Sequence, residues 1–430
     1  MARRDGSAVG RAAPVRARFS ADPADVLALA ADPARWREWA GPIPIWWVHR
    51  HLGRVTVRAR PDGGGELEWS LPARPTAGLP RPVLRAILSL LARRLVTEAD
   101  RRIAVTRRPS LPARFQRAGL QLVVRPVLTI APFDEKWIRA LRAVATTASR
   151  ATGARRRTRP AHGAPVPGLW IDGADDAPGL LVLHGGGYVA GSSDTHATMA
   201  KALARLAGAT TYVPDYRLAP EHRYPAALDD AEAAFRHLAE HVGGAERVAI
   251  AGDSAGGGLA LGLLDRLRGG GERPAALALI SPWVDLTEPL GGERSGGALD
   301  PLMPPSIAAD CRDAYAGDTP VDDPGISPAR RPLDASAPAV AIVCGGDDFV
   351  VDDVRGFVDA STARGATVDL RVWPGMVHCF PVVAGTPEGA SALAVLAGHI
   401  RTAVMATAVD ADTVGPRDRG DYRVRETTDR

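Results

Sequence analysis

One short segment carries the residue types of a nucleophilic centre. Arg247-Val-Ala-Ile-Ala-Gly-Asp-Ser-Ala-Gly-Gly257 reads as a buried-type strand, the turn Gly252-Asp253-Ser254-Ala255-Gly256, and then a helix. The glycines mark a turn too tight for a Cβ, so Ser254 is expected in a strained backbone with its Oγ exposed at the sheet edge. The following helix aims its N-terminus at the same spot, where the Ala255 amide can donate to an oxyanion. Upstream, His184-Gly185-Gly186-Gly187 follows another strand, and consecutive glycines let backbone N–H groups approach a substrate oxygen unobstructed. A rival reading uses the same turn: Gly185, Gly187 and Ala190 satisfy G-x-G-x-x-A, and Asp215 closes the next strand as a dinucleotide site would want. That site needs its helix to begin at the glycine turn. Here Gly191-Ser-Ser-Asp194 intervenes, and a helix capped by Ser193 or Asp194 starts too late.

Parallel strands must position these turns. From about residue 165 the apolar runs Leu180–Leu183, Ala209–Val213, Val248–Ala251, Ala276–Ile280 and Val340–Val343 each end in Gly, Pro or Ser. Helical stretches lie between them, including Thr195–Leu206, Ala226–His241 and Ala255–Leu267. Strand–helix alternation with buried-type strands predicts an α/β fold, a mostly parallel sheet covered on both faces, with function at the carboxyl ends of the strands. The front of the chain differs. Asp22-Pro23 followed by Val26, Leu27 and Ala30 predicts a helix start. Alternation over Arg54–Arg60 and Glu66–Leu71 predicts a hairpin, and Leu84, Ile87, Leu88, Leu91 and Leu95 stripe an amphipathic helix.

HGGGYVAGSSDTH, DYRLAPEHRYPAALDD, GDSAGG, SPWVDL and GMVHCF occur in that order. Together they resemble the hormone-sensitive-lipase-type family of α/β-hydrolases, bacterial carboxylesterases and lipases, over roughly residues 165–400. GSSDTH and SPWVDLT look closest to the branch with small-ester carboxylesterases and the monoterpene ε-lactone hydrolase. The resemblance implies a Ser…Asp…His triad in chain order, with Ser254 as nucleophile and His378 as base. Gly345-Gly-Asp347-Asp348-Phe-Val-Val-Asp352 offers the acid. Counting back from Asp352 selects Asp348, with Asp347 as the alternative. The same resemblance implies an oxyanion hole from Gly185, Gly186, Gly187 and Ala255, with His184 positioning its loop. Tyr188 and Trp283 are expected to shape a substrate pocket, and Cys379 to be a small buried thiol. Helices around Phe115–Arg150 are expected to form a cap. The implied reaction is hydrolysis of short- to medium-chain carboxylic esters or small lactones through an acyl-enzyme, with no metal or organic cofactor. A catalytically weak ligand-binding protein on the same fold, as in the plant gibberellin receptor, is the alternative, along with a membrane-associated lipase with a basic N-terminal anchor. Phe19–Gly41 is similar to the opening of the START/polyketide-cyclase ligand-binding fold.

The expected domains are a disordered basic arm over 1–20, an accessory region over 21–110 and cap helices over 111–164. The α/β-hydrolase catalytic domain follows over 165–405, then a disordered tail over 406–430. Composition agrees with a globular enzyme of 430 residues: 46% hydrophobic, 24% charged. Three cysteines without a C-x-x-C pair argue against a disulfide scaffold or zinc knuckle. No secretory signal and no run of 18 apolar residues is visible, so a cytoplasmic location is expected. The net charge of +4 hides a split, with residues 1–160 holding 31 of the 53 basic residues against 12 of the 49 acidic ones. That half is expected to touch anionic membrane at most weakly through residues 1–110, and a basic half docked on its own acidic half is the preferred explanation of the split. No nucleic-acid partner is expected.

Overall fold

The computed structural model describes residues 15–19, 54–59, 65–70, 109–130, 132–287, 303–382 and 385–413. Two compact units divide the chain, Met1–Thr106 and Arg107–Arg430. In the first, strands β1 (Val15–Phe19), β2 (Arg54–Ala59) and β3 (Gly65–Ser70) form an antiparallel sheet with β3 in the middle. The expected hairpin is β2–β3, with Arg54 opposite Ser70 and Ala59 opposite Gly65. Val15–Phe19 falls within the arm expected to be disordered but is a strand, and its Val-Arg-Ala-Arg-Phe alternation supplies the period-two pattern a strand needs. The helices expected at Asp22 and Leu84–Leu95 and the START-like segment lie outside the described residues.

The second unit opens with α1 (Leu111–Gly119), a π-helical turn at Leu120–Val124, α2 (Arg125–Ile130) and α3 (Glu135–Ala151). Ser110 caps α1 and Asp134 caps α3, each side chain accepting a backbone N–H. An eight-stranded sheet follows: β4 (Arg159–Pro160), β5 (Gly168–Ile171), β6 (Gly179–Leu183), β7 (Thr210–Pro214), β8 (Val248–Asp253), β9 (Ala276–Ile280), β10 (Val340–Gly345) and β11 (Val368–Trp373). Its order is β11-β10-β9-β8-β6-β7-β5-β4. Pairing is parallel from β7 to β11 and antiparallel at β4–β5 and β5–β7. The sheet therefore begins at β4, inside the stretch expected to be cap.

Residue size alternates along the strands and sets the two layers. Leu181, Leu183, Ile250, Leu277, Leu279 and Ile342 face one core. Helices α5 (Ala226–Val242), α6 (Ala255–Gly269), α7 (Pro305–Ala316) and α8 (Val351–Ala363) bury Phe235, Leu238, Leu263, Tyr315 and Phe357 in it. The opposite face presents Ala249, Ala251, Ala276, Ala278 and Ala341. Small side chains there admit α4 (Ser193–Ala207) and α9 (Pro387–Thr413), which bury Leu203, Leu396 and Ile400. Pro387–Ala406 is long and apolar enough to cross a membrane by length and composition alone, and Ala392, Leu393, Leu396, Ala397 and Ile400 on it are core residues. Helix α9 continues to Thr413, past the expected tail boundary at 406. Helix α4 is capped by Ser192 in a capping box with Thr195, one residue before the expected caps Ser193 and Asp194.

Candidate active site

Strand β8 ends at Asp253 and α6 begins at Ala255, leaving Ser254 alone in the turn with φ 52° and ψ −122°. This left-handed strain is kept because the glycines around it cannot be replaced: a Cβ on Gly256 would lie 2.1 Å from the Leu183 carbonyl oxygen. The Ser254 Oγ sits 2.8 Å from His378 Nε2. His378 follows β11 on a loop, and its Nδ1 donates to Asp348 Oδ1 at 2.8 Å. Asp348 follows β10, is 1% exposed, and also accepts the Val350 N–H at 3.1 Å through Oδ1, while its Oδ2 is buried with no partner.

Asp347 turns the other way. Its carboxylate pairs with Arg117 on α1, and the same guanidinium reaches the Gly375 carbonyl at 3.5 Å. One arginine thus joins the loop of Asp348 to the loop of His378. It lies 230 residues from Asp347, and no local pattern announces it.

The glycine turn divides its expected roles. The Gly185 N–H donates to Asp253 Oδ1 at 3.0 Å, so this amide is committed inward and does not serve an oxyanion. Gly186 is exposed with φ +121°, a backbone open to glycine alone, and Gly187 follows at φ +62°. Gly186, Gly187 and Ala255 are left as the amides at the mouth of the turn. His184 is buried, with Nδ1 on the Gly185 carbonyl at 2.9 Å, its ring stacked on Tyr216 at 4.2 Å, and Nε2 unpartnered. Burial, with His196 adding repulsion, drops its pKa to about 3, so it is a neutral prop for the loop. The Tyr216 hydroxyl donates to the His184 carbonyl at 2.6 Å and so braces this loop from beneath.

Tyr188 and Trp283, expected to shape a substrate pocket, are packed in the core. Both are core residues: Tyr188 stacks on Tyr315 at 3.6 Å, and Trp283 Nε1 donates to the Asp285 carbonyl at 3.0 Å. They support the glycine turn and the helix behind it. Cys379 is buried, takes φ 50°, and holds its Sγ 3.4 Å from His378 Nε2, the atom that also meets Ser254.

A second tier lies beneath the turn, and within it the parts played by Asp253, His196 and Asp194 are the ones sequence reasoning does not reach. Asp253 meets His196 Nε2 at 3.3 Å. Burial alone would raise the Asp253 carboxyl, but the facing His196 holds it below its ordinary range, and Asp253 in turn holds His196 above its own despite burial. Asp194 of GSSDTH is gripped by Arg150 at 2.8 Å and by Arg155, which ties α3 and the loop after it to the head of α4. Asp215 accepts the Ser193 N–H at 2.6 Å and its hydroxyl at 3.0 Å. The acidic residue of the dinucleotide pattern is therefore spent on the α4 N-terminus. Among the described residues, no group of three His, Cys, Asp or Glu is arranged to hold a metal.

A profile of the alpha/beta hydrolase fold matches residues 180–382. An acetyl-hydrolase of Streptomyces hygroscopicus is 37% identical over 240 residues, covering 54% of this chain and 79% of that protein. The crystal structure of a hormone-sensitive lipase from a metagenome library has a TM-score of 0.62 and 29% identity, over 69% of this chain and all of the other, 100%. The crystal structure of EstE5 soaked with p-nitrophenyl butyrate has the same TM-score of 0.62 and 29% identity, over 69% of this chain and 99% of that one.

Proposed function

The chain belongs to the hormone-sensitive-lipase type of α/β-hydrolases, and on that premise we infer that it is a serine esterase for carboxylic esters of short to medium acyl chain. The observation that carries this reading is the unbroken relay of Ser254 Oγ, His378 and Asp348, each link 2.8 Å long. His378 Nε2 takes the proton of Ser254 as Oγ attacks the ester carbonyl, and Asp348 holds the imidazole in the tautomer that leaves Nε2 free to accept. The amides of Gly186, Gly187 and Ala255 receive the oxyanion. His378 then gives its proton to the leaving alcohol, an acyl-enzyme forms on Ser254, and a water activated by the same imidazole releases the acid. With all three groups in bonding range, the ligand-binding alternative has no observation in its favour.

Short acyl chains are supported by the acetyl-hydrolase relative and by the neighbour soaked with a butyrate ester. Small lactones are the second substrate class, on the strength of GSSDTH and SPWVDLT in this sequence. A lactone is an internal ester, so the same steps apply with the alcohol still tethered. A p-nitrophenyl ester series from acetyl to palmitoyl, run beside a lactone panel, tests both. The expected result is highest kcat/KM between acetyl and octanoyl. Highest activity on long-chain triacylglycerol emulsions, with activation at the oil interface, would contradict it.

A further inference from the structure

Helix α3 turns an arginine inward onto the glycine turn. Ile138 is buried, and Arg142 lies one helical turn further along the same face. The Arg142 Nε donates to the Val189 carbonyl at 2.6 Å, and Nη2 donates to the Ala219 carbonyl at 2.6 Å. The two Nη groups also hold the Glu221 carboxylate, at 2.9 and 3.0 Å. The Ala219 N–H in turn donates to the Tyr188 carbonyl at 2.9 Å, so the carbonyls of Tyr188 and Val189 are both fixed. Loop carbonyls have no strand to pair with and need such donors. A guanidinium offers the planar fork that can span two carbonyls and a carboxylate at once.

These bonds bear on the oxyanion amides. A trans peptide is planar, so its N–H points opposite to the carbonyl of the preceding residue. The Gly186 carbonyl accepts the N–H groups of Val189 at 3.1 Å and Ala190 at 2.9 Å, which closes the turn and directs the Gly187 N–H out of it. The Gly185 carbonyl is likewise bound to His184 Nδ1, which directs the Gly186 N–H. His184 therefore sets one amide plane, and the Val189–Ala190 segment sets the other. Tyr188, just before that segment, takes φ 63°, a left-handed backbone that a bulky residue keeps only when its surroundings hold it. We propose that Arg142 is a positioning residue for the oxyanion hole: by gripping Val189 and Ala219 from α3, it keeps the Gly187 amide aimed at the oxyanion. This role presupposes the serine-esterase chemistry above, and it needs no contact between Arg142 and substrate.

The test is steady-state hydrolysis of p-nitrophenyl butyrate by the full chain, with active sites titrated by a fluorophosphonate and Tm measured for each variant. A trifluoromethyl ketone, which forms an oxyanion adduct on Ser254, reads the oxyanion hole separately. Arg142→Ala is expected to lower kcat per titrated site by about ten- to hundredfold, since a misaimed donor forfeits part of the roughly 10²–10³ that a whole oxyanion donor supplies. KM should stay within about threefold, and the ketone should bind more weakly in proportion to the loss of kcat. The pH midpoint of kcat/KM, which reports His378, should not move. Arg142→Lys keeps the charge but cannot span both carbonyls and the carboxylate, so it should recover only part of the rate; it carries the test if the alanine variant does not fold. Arg139→Ala is the control, because Arg139 also reaches Glu221 from α3, at 3.4 Å, without touching either carbonyl; its kcat should equal that of the wild type. Wild-type kcat in Arg142→Ala, or in Arg142→Lys where the alanine variant is unfolded, would overturn the proposal. So would a raised KM at unchanged kcat, or an equal loss in Arg139→Ala, which would assign the effect to the docking of α3. A wild type that neither hydrolyses the ester nor takes up the fluorophosphonate would overturn the esterase reading, and this role with it.

Discussion

Replacing Asp348 by Asn discriminates between the two adjacent aspartates, and the structure sets the size of the effect. Asp348 Oδ1 accepts from both His378 Nδ1 and the Val350 N–H, whereas Oδ2 is buried without a partner. An asparagine has two ways to sit there. With its oxygen toward His378 it keeps the tautomer but buries an unpaired NH₂, a cost of about 1–3 kcal/mol. That orientation also loses the negative charge that steadies the imidazolium, and charge-assisted bonds exceed neutral ones by roughly a factor of two. With its NH₂ toward His378 it favours the wrong tautomer, which costs about 10⁴ in turnover in a comparable serine triad. Asp348→Asn should therefore lower kcat by about 10² to 10⁴. Asp347→Asn breaks only a half-exposed pair with Arg117, a kind of interaction worth about 0.2–1 kcal/mol, so its kcat should fall no more than about fivefold. The assay is hydrolysis of one activated short-chain ester, with circular dichroism to confirm folding. A severe loss for Asp347→Asn beside near-normal Asp348→Asn would refute the reasoning, and so would equal losses.

Three further outcomes follow from neighbouring contacts. Arg117→Ala should reduce kcat by about three- to tenfold while moving Tm by no more than about 2 °C, because the guanidinium positions the loops of Asp348 and His378 more than it stabilises the fold; Arg117→Lys should recover part of the rate. Gly256→Ala should abolish activity and destabilise the fold by about 3 kcal/mol or more, readable as a loss of soluble protein or of Tm, since its Cβ would strike the Leu183 carbonyl. His184 has a folded pKa near 3, below its unfolded value, so its stability contribution is complete above about pH 6.5 and is lost as pH falls toward about 3. Asp253 holds His196 above its ordinary range and His196 holds Asp253 below its own, so the loss in this window belongs to His184, and Tm measured against pH should fall on the acid side less steeply in His184→Gln than in the wild type.

Legibility in the sequence followed locality. Ser254 could be placed from five residues, because a strand, two glycines and a helix leave its turn one conformation. The β-strands were readable as apolar runs, and Ala276–Ile280 matched to the residue because burial on both faces removes polar interruptions. The choice between Asp348 and Asp347 depended on side-chain direction in a loop, which spacing alone does not give. Arg117 was invisible because its partners stand more than two hundred residues away. Nothing in a run of three glycines separates Gly185 from Gly186 and Gly187, yet its amide answers to Asp253. The contacts of Tyr188 with Tyr315 and of Trp283 with the Asp285 carbonyl are set by packing, which composition does not show. Ser192 rather than Ser193 or Asp194 caps α4, because Ser-x-x-Thr supplies both halves of a capping box.

The most direct measurement is covalent labelling with a fluorophosphonate probe, followed by mapping of the modified peptide and assay of Ser254→Ala. A fluorophosphonate reacts far faster with a serine whose proton is being taken by a competent base than with an ordinary hydroxyl, so it reads the Ser254–His378–Asp348 relay itself. The account predicts a single adduct on Ser254. Ser254→Ala should fold normally, take up no probe, and lose on the order of 10⁶ in turnover. An adduct on another residue, with ester hydrolysis retained in Ser254→Ala, would contradict it.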